Sequence, residues 1–337
     1  MKRLLLIILA LAFSAQAQAV TLKIATVTPE GSGWMKEMRA SAKEIEQRTE
    51  GRVKIKYYGG GVMGSDQKVL SRIRIGALQG GAFTPSALTS QYPDLNLYGL
   101  PMVFDSQEEA AYVRERMDAT LQAGLEDAGW VNFGFAAGGF AILMSNAPIR
   151  SLDDLRGKKV WIPEGDTVSR HSMQALSLSP VTLPLTDVLT GLQTGLIDIV
   201  AMSPIGALVL QWHTKVKYIT ELPLVYTLGF MAVDKRAFNK LTDADKAIVR
   251  DVMEQTYARL DARNLVDNSG ARDALINAGL QSVPVDMVEY EEVRKVLMES
   301  TAELGDEGLY TPELYAQMLA YVDEFRSRQA ANGEEAF

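Results

Sequence analysis

Cysteine is absent from the 337 residues and histidine occurs only twice, shortages that remove whole classes of chemistry. Without thiols there are no disulfides, no thiolate metal sites and no lipid-bearing cysteine at a processing site. His171 and His213 lie far apart, and neither has a carboxylate at metal-ligand spacing. Both read as surface or structural groups. Concentrated positive charge is missing as well. The 34 Lys and Arg residues are scattered among 42 Asp and Glu, which excludes the basic stripe that nucleic acid requires. The chain reads as having no G-x-S-x-G elbow, no Walker sequence and no G-x-G-x-x-G opening a helix. The stretch GGGVMGS has the glycines of a phosphate loop but not its Lys-Ser/Thr ending, and reads as a turn. Asp153 and Asp154 fall in the first turn of a short helix, where carboxylates favour the dipole without forming a catalytic pair. No nucleophile–base pair is visible, so the sequence predicts no enzyme and calls for no cofactor or metal.

What is present begins at the N-terminus. MKRLLLIILALAFSAQAQA has two cationic residues, an apolar run and the small-residue pattern Ala17-Gln18-Ala19, a secretory signal with cleavage expected after Ala19. A retained anchor needs roughly 20 apolar residues, and the run from Leu4 to Ala15 is too short. The expected product is soluble, exported and periplasmic. Without Lys2 and Arg3 it carries 32 basic against 42 acidic residues, a net charge of −10. Its 318 residues (337 − 19) exceed one comfortable core and suggest two lobes.

The mature chain opens β-α-β-α-β. TLKIATVT is a β-branched strand, and a helix from Trp34 to about Arg48 carries Met35, Met38, Ala42 and Ile45 on one face. RVKIKYY is the second strand, SDQKVLSRIRIGALQ a helix with Ser65 as N-cap, and GGAFTPSAL a short strand delivering Phe83 and Thr84 to a loop. This alternation builds a parallel sheet with helices on both faces. Phe104 to Ala128 is helical, and WVNFGFAAGGFAILMSN is a long β stretch softened by glycines, suited to crossing between lobes. A second alternation follows: SLDDLRG helix, KKVWI strand ending at Trp161, a helix from about Thr167 to Leu176, PVTLP strand, TDVLTGLQTG helix and LIDIVAM strand. ITELPLVYTLGFMAVD is a second crossing. DADKAIV through INAGL is one bent helix of over thirty residues lying across both lobes, and two more helices precede the GEEAF tail.

Four segments resemble the solute-binding proteins of TRAP (tripartite ATP-independent periplasmic) transporters. They are GRVKIKYYGGGVMGS, SNAPIRSLDDLRGKKVWIPE, LPLTDVLTGLQTGLIDIV and KYITELPLVYTLGFMAVDKRAFNKL. They occur in the family's order and span essentially the mature chain. The resemblance implies an α/β fold of two lobes with a cleft between them, two crossing strands and a long lobe-spanning helix. The expected division is signal peptide 1–19, lobe I at 20–139 and 227–265, lobe II at 140–226 and 266–294, and C-terminal helices and tail at 295–337. The implied partners are a small-molecule solute, most often an organic acid, and the membrane permease subunits that receive it. Closure is expected as a hinge motion in the crossing segments. A ligand-sensing role for a membrane receptor or sensor kinase is the alternative.

One departure matters. The resemblance implies an arginine at the end of the KKVWI strand, paired bidentately with a ligand carboxylate, and this chain has Trp161 there. The neighbourhood of a second customary arginine reads Phe140-Ala141-Ile142-Leu143-Met144, and a stretch that often offers an amide reads DIVAMSP, leaving Ser203. Three readings stay open. Trp161 stacks on an apolar, aromatic or cationic ligand; an anion is still bound through Arg170, or less plausibly Arg72 or Arg74; or Trp161 fills the core. Trp34, Phe83, Thr84, Phe140, Tyr226 and Phe230 are expected to complete the wall, favouring a moderately hydrophobic or aromatic solute or a monocarboxylate over a dicarboxylate.

Overall fold

A computed structural model describes residues 19–331 and 333, so the expected signal peptide up to residue 18 and nearly all of the GEEAF tail lie outside the described residues. β1 (Val20–Ala25) and β2 (Val53–Tyr58) pair in parallel from Val20↔Val53 to Ala25↔Tyr58. The crossover between them is α1 (Gly33–Arg48), started by Ser32, whose hydroxyl accepts from Met35 N. Met35, Met38, Ser41 and Ile45 recur every three or four residues and form the buried face of α1. α2 (Asp66–Arg74) leads into β3 (Gly80–Phe83), parallel to β1 on its other edge. Gly80 has to be glycine, because an added Cβ would lie 2.5 Å from the carbonyl oxygen of Ala232.

α3 (Gln107–Asp127) and β4 (Trp130–Asn132) follow, then β5 (Ala136–Ser145) and α4 (Leu152–Leu155). β6 (Trp161–Pro163), α5 (Thr167–Ala175) and β7 (Val181–Leu183) form a small parallel unit. α6 (Val188–Thr194), β8 (Ile199–Met202) and α7 (Pro204–Val209) lead to β9 (Tyr218–Asp234), the longest strand at 17 residues. Its C-terminal part is antiparallel to β3 and β4, its N-terminal part pairs β10 (Gln281–Val283), and β5 runs antiparallel along it from Gly229 to Tyr218. The resulting order β2-β1-β3-β9-β5-β8 joins both α/β units through the two long strands expected to cross. The register of β5 on β9 shifts between Ala137 and Gly139, where the strand contains consecutive glycines.

α8 (Lys235–Phe238) precedes α9 (Asp243–Asn277), 35 residues and about 50 Å long at 1.5 Å per residue. It packs on α1, β5 and α7 and contributes Val249, Met253 and Tyr257 to the larger core and Leu275 to the smaller one. α10 (Met287–Ala302) lies against α5, and α11 (Pro312–Ala331) against α3. Among the described residues no helix is long and apolar enough to cross a membrane. One expectation needs correction. Lys158 and Lys159 are outside β6 and Val160 makes only a bridge to Ile199, so Trp161 opens β6 and does not end it. β-Propensity favoured KKV, but a partner strand exists only from Val181 onward.

Candidate functional site

A cavity of about 290 Å3 lies where the two units face each other. Loops after β1, β2 and β3 supply Val27, Ser65, Asp66, Thr84 and Ser86, and the opposite side supplies Trp161, Pro163, Thr186, Ala201 and Met202. β9 forms the floor with Leu222, Leu224 and Val225 to Leu228, and α10 closes one side with Tyr290, Val293 and Leu297. The mouth is tight. A Cβ added to Gly165 would stand 3.2 Å from the carbonyl oxygen of Ser86, and one on Gly61 would stand 3.0 Å from Thr186 Cγ2.

Of the residues expected at the site, Trp161, Thr84 and Tyr226 line this cavity. Trp161 is 4% exposed; its Nε1–H donates to Leu183 O at 3.0 Å, and its ring meets Trp212 edge-on at 5.2 Å. The remaining ring surface is on the order of 10 Å2, about 0.3 kcal/mol at ~25 cal/mol per Å2. In this closed form the indole is a fixed wall and offers little stacking area. Tyr226 is held at both ends. Its ring packs edge-on against Phe104 and Phe140, and its hydroxyl accepts from Arg114 Nη1 at 3.3 Å. Buried Arg114 also pairs with Asp118 and Asp261 at 3.0 and 2.8 Å and donates to Phe135 O. Burial pushes the Tyr226 phenol up, and the Arg114 charge opposes this. Thr84 and Ser86 share a hydroxyl–hydroxyl hydrogen bond of 3.2 Å.

The other expected residues lie elsewhere. Phe83 and Phe230 are direct cross-strand partners inside the larger core, where Phe83 meets Trp130 and Phe230 meets Phe135 edge-on. Phe140 stands behind Tyr226, Trp34 packs on Tyr57, and Ser203 is buried as the N-cap residue of α7. Arg170 is exposed and donates to Thr182 Oγ1 at 3.2 Å, while exposed Arg72 points to Met63 Sδ. Exposed Arg74 does not line the cavity either. None of the three arginines expected to replace the missing charge reaches the wall.

The cation that does line the cavity is Arg150, in the PIRSLDDL segment, and among the described residues it is the only Lys or Arg on the wall. Five carboxylates share the lining: Asp66, Glu164, Asp166, Asp286 and Glu289. Asp66, at the start of α2, is pushed up to about 6 by burial and then by the charge of Glu164 across the mouth. Burial also raises Asp166, which accepts from Ser169 N and Oγ as the cap of α5. Glu289 accepts from Leu152 N at 2.5 Å, tying α10 to α4.

One reading needs correction: Gly59, Gly61 and Gly64 do have the G-x-G-x-x-G spacing, between β2 and α2. Gly59 lies so near the Glu30 side chain that an added Cβ would be 2.7 Å from its Oε1, and Glu30 is paired with Arg39.

Behind the cavity α9 grips the softened part of β5. Asp261 accepts from Ala137 N at 2.6 Å, and Asn264 and Asn268 donate to Ala137 O and Gly138 O at 2.9 and 2.8 Å. Gly139 adopts φ +81°, and a Cβ there would be 2.7 Å from Asn268 Nδ2. Thr227 Oγ1 donates to Gly139 O from β9.

Residues 24–307 match the family model DctP, Bacterial extracellular solute-binding protein, family 7. The chain is similar to the C4-dicarboxylate-binding periplasmic protein DctP of Rhodobacter capsulatus, 28% identical over 80% of this chain and 82% of that one. It is 26% identical to the uncharacterized protein YiiZ of Salmonella typhimurium, matched over 46% of this chain and about half of the relative, 48%. Among solved structures, a TRAP periplasmic solute-binding protein from Ralstonia eutropha with bound (S)-2-acetolactate aligns with a TM-score of 0.82 at 21% identity, over 90% of this chain and 99% of that one. A Bordetella pertussis extracytoplasmic solute receptor binding pyroglutamic acid aligns with a TM-score of 0.81 at 19% identity, over 90% and 100%. At these identities the structural likeness carries the two-lobed fold, and the family model carries membership. The chain belongs to family 7 of the bacterial extracellular solute-binding proteins, the TRAP periplasmic solute-binding proteins.

Proposed function

We propose that this protein, exported and freed of its signal peptide after Ala19, captures an organic solute of largely apolar surface, at most a monocarboxylate, and delivers it to TRAP permease subunits in the membrane. The observation that carries the reading is the charge and polarity of the cavity wall: one cation, Arg150, against five carboxylates, with Trp161 at the position where the resemblance implies an anchoring arginine. The binding proteins that resemble this chain hold carboxylates such as (S)-2-acetolactate and pyroglutamate. A single carboxylate can be met here by Arg150, but a second would enter beside carboxylates with no partner. Arg150 is itself exposed, as are Glu164 and Asp286, so solvent screens part of the mismatch and an unmatched second carboxylate costs about 1–2 kcal/mol, roughly tenfold in affinity.

Opening and closing would use the Ala137–Gly139 stretch and its partner Thr227, with α9 as the rigid bar that both units lean on. Capture and release need no covalent step and no acid–base pair; the residues named hold, orient and enclose. Calorimetric titration of the mature protein with succinate, malate and an apolar monocarboxylate such as hexanoate tests the proposal. Binding of hexanoate about tenfold or more tighter than of either C4-dicarboxylate is expected. Tight binding of a dicarboxylate with no binding of apolar acids would refute it.

A further inference from the structure

Part of the cavity's lining, here called the arm, lies along α10. Its walls are Leu155 of α4, Met173 and Leu176 at the end of α5, Leu222 and Leu224 of β9, and Val293 of α10. They belong to an apolar cluster apart from the two cores of the sheets. In a cluster whose purpose is packing alone these side chains would be sealed. Here Leu155, Met173, Leu222, Leu224 and Val293 are only half-buried, and the space they face is the cavity. Leucine, methionine and valine present no hydrogen-bonding group, so the arm fits a surface that is apolar throughout, and methionine adapts its shape to what fills it. The arm is held by hydrogen bonds as well as packing: Met102 N donates to Leu224 O at 2.8 Å, and Leu152 N to the Glu289 side-chain carboxylate at 2.5 Å.

We propose that the arm receives the aliphatic tail of an amphiphilic solute, a medium-length carbon chain with one polar or carboxylate head, and that the site selects by tail length. The proposal rests on the reading of the cavity as the solute site and specifies the solute's class. It accounts for two features together: the apolar side chains beside α10 that border the cavity half-buried, and a wall with a single cation for one head group.

The test is calorimetric titration of the mature protein, stripped of ligand, with straight-chain monocarboxylates from butanoate to decanoate. Each added methylene is expected to tighten Kd about fourfold until the arm is full, after which Kd levels off. In Val293→Trp, which fills part of the arm from α10, the levelling is expected at a shorter chain than in the unsubstituted protein. A Kd independent of chain length overturns the proposal. If that flat series is accompanied by tight binding of a compact apolar acid such as benzoate, the apolar reading of the cavity stands and the arm alone is refuted. If only hydrophilic acids bind, both fall. Should Val293→Trp fail to fold by circular dichroism, the series on the unsubstituted protein decides alone.

Discussion

Replacing Asp66 by Asn should change how the stability of this protein depends on pH. Asp66 begins α2 on one side of the mouth, and Glu164 follows β6 on the other; burial and then the Glu164 charge raise the Asp66 carboxyl to about 6 from an ordinary 3.8. A raised carboxyl pKa means the folded protein binds that proton more tightly than the unfolded chain does. The ionised carboxylate therefore penalises the folded, closed form fully above about pH 6, and the penalty fades as pH falls toward 3.8. Its size is at most about 3 kcal/mol from the two titration points. Because Asp66 is only half-buried, solvent screening brings the expected effect to about 1–2 kcal/mol. Urea denaturation of the unliganded protein at pH 8 and pH 4 reads it. Asp66→Asn should gain about 1–2 kcal/mol over the parent at pH 8 and nothing at pH 4. An equal effect of the substitution at both pH values would refute the assignment, since hydrogen bonding or packing changes would not follow the proton.

Two further substitutions probe the framework. Gly139→Ala places a side chain at φ +81° against Asn268, and should cost about 1–3 kcal/mol in thermal or urea unfolding; an unchanged midpoint would mean that α9 does not constrain this stretch. Arg114→Leu strips the buried partner from Asp118 and Asp261 and the donor from Tyr226, for an expected loss of about 3–5 kcal/mol by chemical denaturation. A loss below about 1 kcal/mol would show the network to be dispensable.

The framework was legible in the chain because it rests on local pattern. The apolar face of α1, the length of α9 and the β-rich runs that became β5 and β9 all follow from periodicity and composition. The site was less legible because its wall is assembled from residues far apart in sequence. Val293 and Leu297 look like any apolar helix face until α10 is seen lying over α5, and Arg150 stands out only once the cavity reaches it. Most of the expected aromatic residues lie in the core for a related reason. Phe83 and Phe230 face each other across β3 and β9 inside the larger core, whereas Tyr226, on the same face of β9 but past the last residue paired with β3, borders the cavity. For Trp161, sequence marked the position and not its posture: the bond to Leu183 O and the edge-on packing of Trp212 come from β7 and the segment before β9.

The most direct test of the account is native mass spectrometry of the protein purified from the cells that make it, followed by release and mass identification of the bound molecule. An amphiphile with a single polar or carboxylate head and an aliphatic tail is the predicted cargo. A C4-dicarboxylate or a sugar acid held in the same cavity would contradict it.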